Sequence, residues 1–198
     1  MESELKYIDI VEQPISMHPK KFALWLFLVT VLMIFAALTS AYIVRQAEGN
    51  WLEYELPEIF WVTSGIVVLS SIAMQFAYFA AKKDNFIGLR IGMVATVLLG
   101  IGFLVGQWYS WVALVDREVF FVGNPAGSFL YVFTGLHAVH LISGVIFLII
   151  VLISTFRYKV HSQALNTLEM ATTYWHFLGG LWLYLFLFLL LNHGSGTT

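Results

Sequence analysis

Three histidines form the most chemically suggestive pattern in this 198-residue chain. His137 and His140 lie three residues apart inside an apolar stretch, and His176 stands in Tyr174-Trp175-His176-Phe177 where the last apolar stretch begins. Ionisable rings at membrane depth are expensive and mark a functional site by default. Imidazole nitrogens ligate metals, and a metal needs three or four ligands; with Glu169, the three rings would make a three-His-one-carboxylate set. Haem would instead need a histidine pair at matching depth on facing helices. The other use is mechanical. Residues three apart on a helix project from nearly the same face, so His137 and His140 point together towards a neighbour. Thr134, Gly135 and Gly144 extend that face as a small and polar seam that lets a neighbouring backbone come close. In lipid, such side chains form interhelical hydrogen bonds of about 0.6–2 kcal/mol each.

The elements that must carry these rings are transmembrane helices. The chain is 60% hydrophobic and only 11% charged, where a soluble domain has roughly 45–50% apolar and about 25% charged residues. A hydrocarbon core of about 30 Å takes about 20 helical residues to cross. Five stretches qualify: Phe22–Val44, Phe60–Ala81, Leu89–Val115, Gly127–Ser154 and Ala171–Asn192. The third and fourth are longer than a straight crossing needs, which predicts tilt or extension beyond the lipid. The runs are continuous rather than alternating, so a β-barrel is not indicated. The expected fold is an all-α integral membrane protein, one domain over residues 1–198, folded as a five-transmembrane-helix bundle without internal repeat.

Lys and Arg set the orientation. Lys6, Lys20, Lys21, Lys82, Lys83, Arg90, Arg157 and Lys159 fall on one side, leaving only Arg45 and Arg117 of the ten positive residues on the other. The N-terminus is therefore expected to be cytoplasmic and the C-terminus outside. The acidic, polar segment before Phe22 does not resemble a cleavable signal. Trp25, Trp51, Trp61, Trp108, Tyr109 and Trp111 fall near helix ends, as interfacial belt residues do.

What is missing narrows the function. The chain has no Cys, hence no disulfide, thiolate site or thiol nucleophile. A net charge of −2 without a basic run argues against nucleic acid as a partner. Eleven of the twelve acidic residues lie in the N-terminal segment or the connections; only Glu169 could reach into the bilayer, from its cytoplasmic edge, where Arg90 is a possible partner. Pumps and ion-coupled transporters need carboxylates deeper than that. No phosphate-binding glycine loop, nucleophile elbow or zinc-protease helix is present. Gly88/Gly92 and Gly102/Gly106 on the third helix have small-xxx-small spacing. If the fifth helix starts near Ala171, His176 lies only about 8–12 Å above the cytoplasmic edge at 1.5 Å per residue, and His140 about 21–25 Å. That depth gap argues against one shared ligand site.

The run from Gly127 and Ser128 through Thr134-Gly135, His137, His140 and Gly144, followed by Glu169, Tyr174-Trp175-His176-Phe177 and Trp182, resembles subunit III of the haem–copper terminal oxidases, the cytochrome c and quinol oxidases of aerobic respiration. Order and spacing together carry the resemblance, which extends from about Phe22 and is densest over Gly88–Leu191. It implies the five-helix bacterial form, in the cytoplasmic (inner) membrane. It further implies a non-catalytic subunit of a complex that reduces O2 to water coupled to proton translocation. In that family subunit III holds no redox cofactor; haem and copper belong to partner subunits. Its main contact is subunit I, with subunit II and further respiratory subunits as other partners, and it binds phospholipid. It supports assembly, proton uptake and durability of subunit I. Arg157 resembles a family basic residue where a lipid headgroup could sit; the plain alternative is a positive-inside flank. Two family acids are absent: Thr30 stands near the position of an intramembrane glutamate, and Leu178-Gly179-Gly180 replaces a run with an aspartate. The competing readings are a free-standing membrane haem or metal protein using His137, His140 and His176, and a small transporter.

Overall fold

The computed structural model describes residues 19–51, 54, 56–156 and 162–192; Arg157 lies outside them. The described residues form five helices: α1 Pro19–Ala47, α2 Ile59–Lys82, α3 Phe86–Asp116, α4 Pro125–Phe156 and α5 Ser162–Asn192. All five contain stretches long and apolar enough to cross a membrane. Their starts follow from local chemistry. Pro19 and Pro125 open α1 and α4, where a missing N–H costs nothing. The Asn124 side-chain oxygen accepts from the Ala126 N–H at 2.9 Å, and Asn85 accepts from Gly88 at 3.0 Å, capping α4 and α3.

One boundary corrects the sequence-based expectation. Helix α5 begins at Ser162, not near Ala171, which adds about two and a half turns. Polar letters between Ser162 and Glu169 lower the hydropathy of this segment without breaking the helix. Glu169 itself is satisfied across the bundle by Lys21 Nζ of α1 at 2.8 Å, so it pairs with Lys21 rather than with Arg90. The Arg90 guanidinium lies 4.9 Å from the centre of the Phe156 ring.

Helices α2, α3, α4 and α5 close into a ring in which each packs on the next and α5 returns to α2. Helix α1 lies outside that ring, against α4 and α5. Although consecutive in sequence, α1 and α2 do not pack on each other. The Lys21–Glu169 pair joins the starts of α1 and α5, and Gln46 Nε2 donates to the Asn192 carbonyl at 3.2 Å at their ends. The two helices therefore run parallel.

The core is assembled from one large ring or more on each helix: Phe35, Phe60, Phe103, Phe133 and Trp182 are all fully buried. The closest backbone approach is between α2 and α3. A Cβ on Gly92 would lie 2.8 Å from the Ala77 Cβ and 3.0 Å from its Cα, and one on Gly88 would lie 3.1 Å from the Ala80 Cβ. Gly106 does the same against Thr63, whereas Gly102 faces open space. The small-xxx-small reading thus holds for Gly88/Gly92 and fails for half of the second pair.

Candidate functional site: a buried histidine and tryptophan seam

His137 sits where four helices converge. Its ring lies 5.2 Å from that of Trp182 on α5, 5.9 Å from Phe103 on α3 and 6.5 Å from Phe35 on α1. The residue is fully buried, and neither ring nitrogen has a hydrogen-bond partner among the described residues. His140, half-buried, packs against Phe27 and Phe35 of α1 with ring centres 6.3 and 5.9 Å apart. Its Nδ1 lies 2.8 Å from the Leu136 carbonyl of its own helix, which places the proton on Nδ1. Among the described residues neither imidazole makes the interhelical hydrogen bond expected of it. Side chains on α4 are surrounded at this level by phenyl rings of α1 and α3, which offer faces and edges rather than lone pairs.

Tryptophan, serine and threonine make those bonds instead. Trp182 Nε1 donates to Ser64 Oγ at 3.0 Å, and Trp175 Nε1 to Ser70 Oγ at 2.6 Å, tying α5 to α2. Trp111 Nε1 donates to Thr134 Oγ1 at 3.0 Å, tying α3 to α4; Thr134 passes its own proton to the Leu130 carbonyl at 2.8 Å. The Ser143 hydroxyl donates to the His140 carbonyl at 2.6 Å and stands 2.6 Å from the Tyr174 hydroxyl, which also reaches that carbonyl at 3.3 Å. Ser64 and Thr134 act as relays: each donates to a carbonyl of its own helix, Ser64 Oγ to Phe60 at 2.7 Å, and accepts from a tryptophan of a neighbour. Sequence reasoning does not mark Ser64, Ser70 or Gln75, and reads Lys21 only as a positive flank. Isolated polar letters in an apolar helix are the available signal, but it does not say which neighbour each one meets.

His176 donates from Nε2 to Gln75 Oε1 of α2 at 3.0 Å. With α5 starting at Ser162, His176 is fourteen residues into its helix, and His140 is sixteen from the end of α4 at Phe156. At about 1.5 Å per residue the two lie at similar depths. The expected depth gap is therefore incorrect, as the Tyr174–His140 contact shows directly. Direction separates the rings: His140 faces α1, His137 faces the centre, and His176 faces α2. Among the described residues no three His, Cys, Asp or Glu side chains gather as a metal would require.

The remaining motif residues divide by what they touch. A Cβ on Gly127 would lie 2.5 Å from the Phe120 carbonyl oxygen, so glycine lets the α3–α4 connection lie flat on α4. Ser128 Oγ donates to the Phe121 carbonyl at 2.6 Å in the same connection. Gly144 receives side chains rather than a backbone: a Cβ there would meet Leu178 Cδ1 at 2.8 Å and the Trp175 ring at 3.4 Å. Gly135 faces open space and takes no part in the seam. Gly100, which sequence reasoning passed over, gives the Trp175 ring its seat, with a Cβ falling 2.6 Å from Cη2. Phe177 lies half-buried beside the core.

The unpartnered His137 ring has a consequence for stability. Replacing an unsatisfied buried polar group with an apolar one of similar size is neutral or stabilising. His137→Leu is expected to leave the detergent melting temperature of the chain unchanged or higher. A loss of more than about 2 kcal/mol would show a ring held by a hydrogen bond or a ligand.

Comparison with known proteins places these features in context. Residues 52–193 match the family model described as cytochrome c oxidase subunit III. A cytochrome c oxidase subunit 3 of Corynebacterium diphtheriae is 32% identical over 169 residues, covering 81% of this chain and 82% of that one. A probable cytochrome c oxidase subunit 3 of Nocardia farcinica is 35% identical over 161 residues, covering 78% and 79%. A cytochrome c oxidase subunit 3 of a Synechocystis strain is 31% identical over 178 residues, covering 86% and 75%.

Proposed function

The chain belongs to the cytochrome c oxidase subunit III family, and on that premise we propose that it is a scaffold that holds the catalytic subunit I of a proton-translocating haem–copper oxidase in working order. Haem and copper reside in the partner subunits, which carry the reduction of O2 to water. The chain sits in the bacterial inner membrane with its N-terminus on the cytoplasmic side, the side on which Lys20, Lys21, Lys82, Lys83 and Arg90 cluster. Subunit I is its main neighbour, subunit II and further respiratory subunits join the same assembly, and phospholipid binds at the apolar outer surface.

The observation that carries this reading is how the polar groups of the family motif are used. Thr134, Trp175 and Trp182 are engaged in bonds between helices. Glu169 is paired with Lys21, and the three histidines do not converge: His137 and His140 pack against Phe35 of α1, while His176 bonds Gln75 of α2. Residues spent on helix packing supply rigidity, not a reaction centre. A metal or haem protein built on His137, His140 and His176 would require these rings to converge.

The role is tested by turnover. An oxidase assembled without this chain is expected to start at a rate close to that of the complete complex and then lose activity over successive turnovers. Adding His140→Leu chain in place of the native one should give an intermediate decline. Complete loss from the first turnover would mean that the chain takes part in the chemistry, and unchanged durability would remove the scaffold role.

A further inference from the structure

Helices α1 and α2 both lean on α5 but do not meet, which leaves an open wedge whose floor is a strip of α5. Gly180 lies on that floor: it is exposed, and a Cβ added there would have nothing within 4 Å. On the α1 side the floor continues into a groove of about 380 Å³ bordered by Leu32, Ala36, Phe177 and Tyr184. On the α2 side Ile72 and Phe79 stand 61% and 53% exposed.

The wedge also holds polar groups that its apolar walls do not explain. Gln75 and His176 are both half-buried, and their single hydrogen bond uses only the Gln75 oxygen and the His176 Nε2 proton. The Gln75 amide protons and the lone pair on His176 Nδ1 have no partner among the described residues. Gln75 lies seven residues inside the end of α2 at Lys82, about 10 Å into the bilayer at 1.5 Å per residue. At that depth neither water nor a lipid headgroup is at hand, and polar groups in membrane helices face protein.

We propose that the α1–α2 wedge is a docking surface for one transmembrane helix of a partner oxidase subunit, carrying a hydroxyl or carboxamide side chain level with Gln75 and His176. A side chain of that kind both accepts from the Gln75 amide and donates to His176 Nδ1, whereas an acyl chain does neither. Gly180 sets the closeness of approach, since a small residue at a helix crossing lets backbones come together. This inference rests on the reading of the chain as an oxidase subunit and assigns the face through which it is held.

A photo-activatable amino acid at Ile72 tests it in membranes containing the whole complex. Irradiation is expected to yield a covalent adduct with a transmembrane segment of another oxidase subunit. Adducts with lipid alone, or with a second copy of this chain, would overturn the proposal. Gly180→Leu and Gln75→Leu supply an independent check on recovery of the complex in mild detergent. Gly180→Leu is expected to lower recovery about tenfold and Gln75→Leu about threefold, while the isolated chains melt as the native one does. Full recovery with both variants would also overturn it. If the unmodified chain copurifies with no haem-bearing subunit, the functional reading itself fails; if it does copurify but Ile72 gives no protein adduct, only the docking surface fails.

Discussion

Trp182→Ala is expected to be the most damaging single substitution in the chain, lowering its stability by about 3–5 kcal/mol. Trp182 is 1% exposed and its indole stacks on Phe60 at 5.8 Å, meets Phe103 edge-on at 4.9 Å and covers His137 at 5.2 Å. Truncation removes a contact to three of the other four helices and leaves a cavity that rigid helices cannot close. It also frees the Ser64 hydroxyl, although Ser64 keeps its bond to the Phe60 carbonyl at 2.7 Å. Trp182→Phe separates the two contributions. It retains a buried ring and loses the Nε1–Ser64 bond, so a cost of about 1 kcal/mol is expected. Melting in detergent, followed by the fraction of chain that remains monodisperse, distinguishes the pair. Equal effects from the two variants would mean that the hydrogen bond, not the packing, carries the position.

Gly92→Leu is the second. The α2–α3 crossing brings the Ala77 backbone within 3.0 Å of where a Gly92 Cβ would sit, so the helices themselves must separate. Overpacking costs about 1–3 kcal/mol where side chains can shift, and here a backbone stands in the way, so the upper end or more is expected. Gly102→Leu on the same helix is the matched control, because its added Cβ meets nothing within 4 Å. Expression in membranes and melting in detergent should show a large loss for the first and little change for the second. Comparable losses from both would remove the close crossing as the cause.

The contrast between Gly92 and Gly102 also shows what the sequence makes legible. Five apolar stretches locate every helix end except the start of α5 to within a few residues, because length and hydropathy are properties of a segment taken alone. The start of α5 was obscured because the membrane requires apolar residues only where the helix is in lipid, and the turns before Ala171 carry polar letters. Spacing predicts that His137 and His140 share a flank of α4, which is so, but not what the flank meets. Each ring's partner depends on how four other helices are placed around it. Thus Thr134 becomes an acceptor for Trp111, and His137 a ring among rings. Gly135 and Gly144 are equally small, yet one faces open space and the other seats Trp175 and Leu178. The motif as a whole was nonetheless informative, since the order of its residues pointed to the family that the comparisons show.

Lys21 illustrates the same limit from the charged side. A cation at the start of α1 reads as a positive flank, and the carboxylate 148 positions later with which it pairs is invisible to any local pattern. The bond fixes α1 to α5 at one end while Gln46 and Asn192 fix it at the other. Between those two points α1 is mostly apolar surface, including Trp25, Leu26, Leu32 and Met33. Its other flank, with Leu28, Val31, Phe35 and Tyr42, is buried against the bundle, so α1 is apolar on both sides, as a helix in a membrane must be.

Affinity purification in mild detergent, with the visible spectrum recorded before and after the subunits are separated, decides whether the chemistry belongs to a neighbour that this chain supports. The intact preparation should contain a larger chain and show haem absorption. After separation that absorption should follow the larger chain entirely, leaving this one colourless and free of stoichiometric copper or iron. A stoichiometric Soret band on this chain alone, abolished by His140→Ala, would make it a haem protein in its own right.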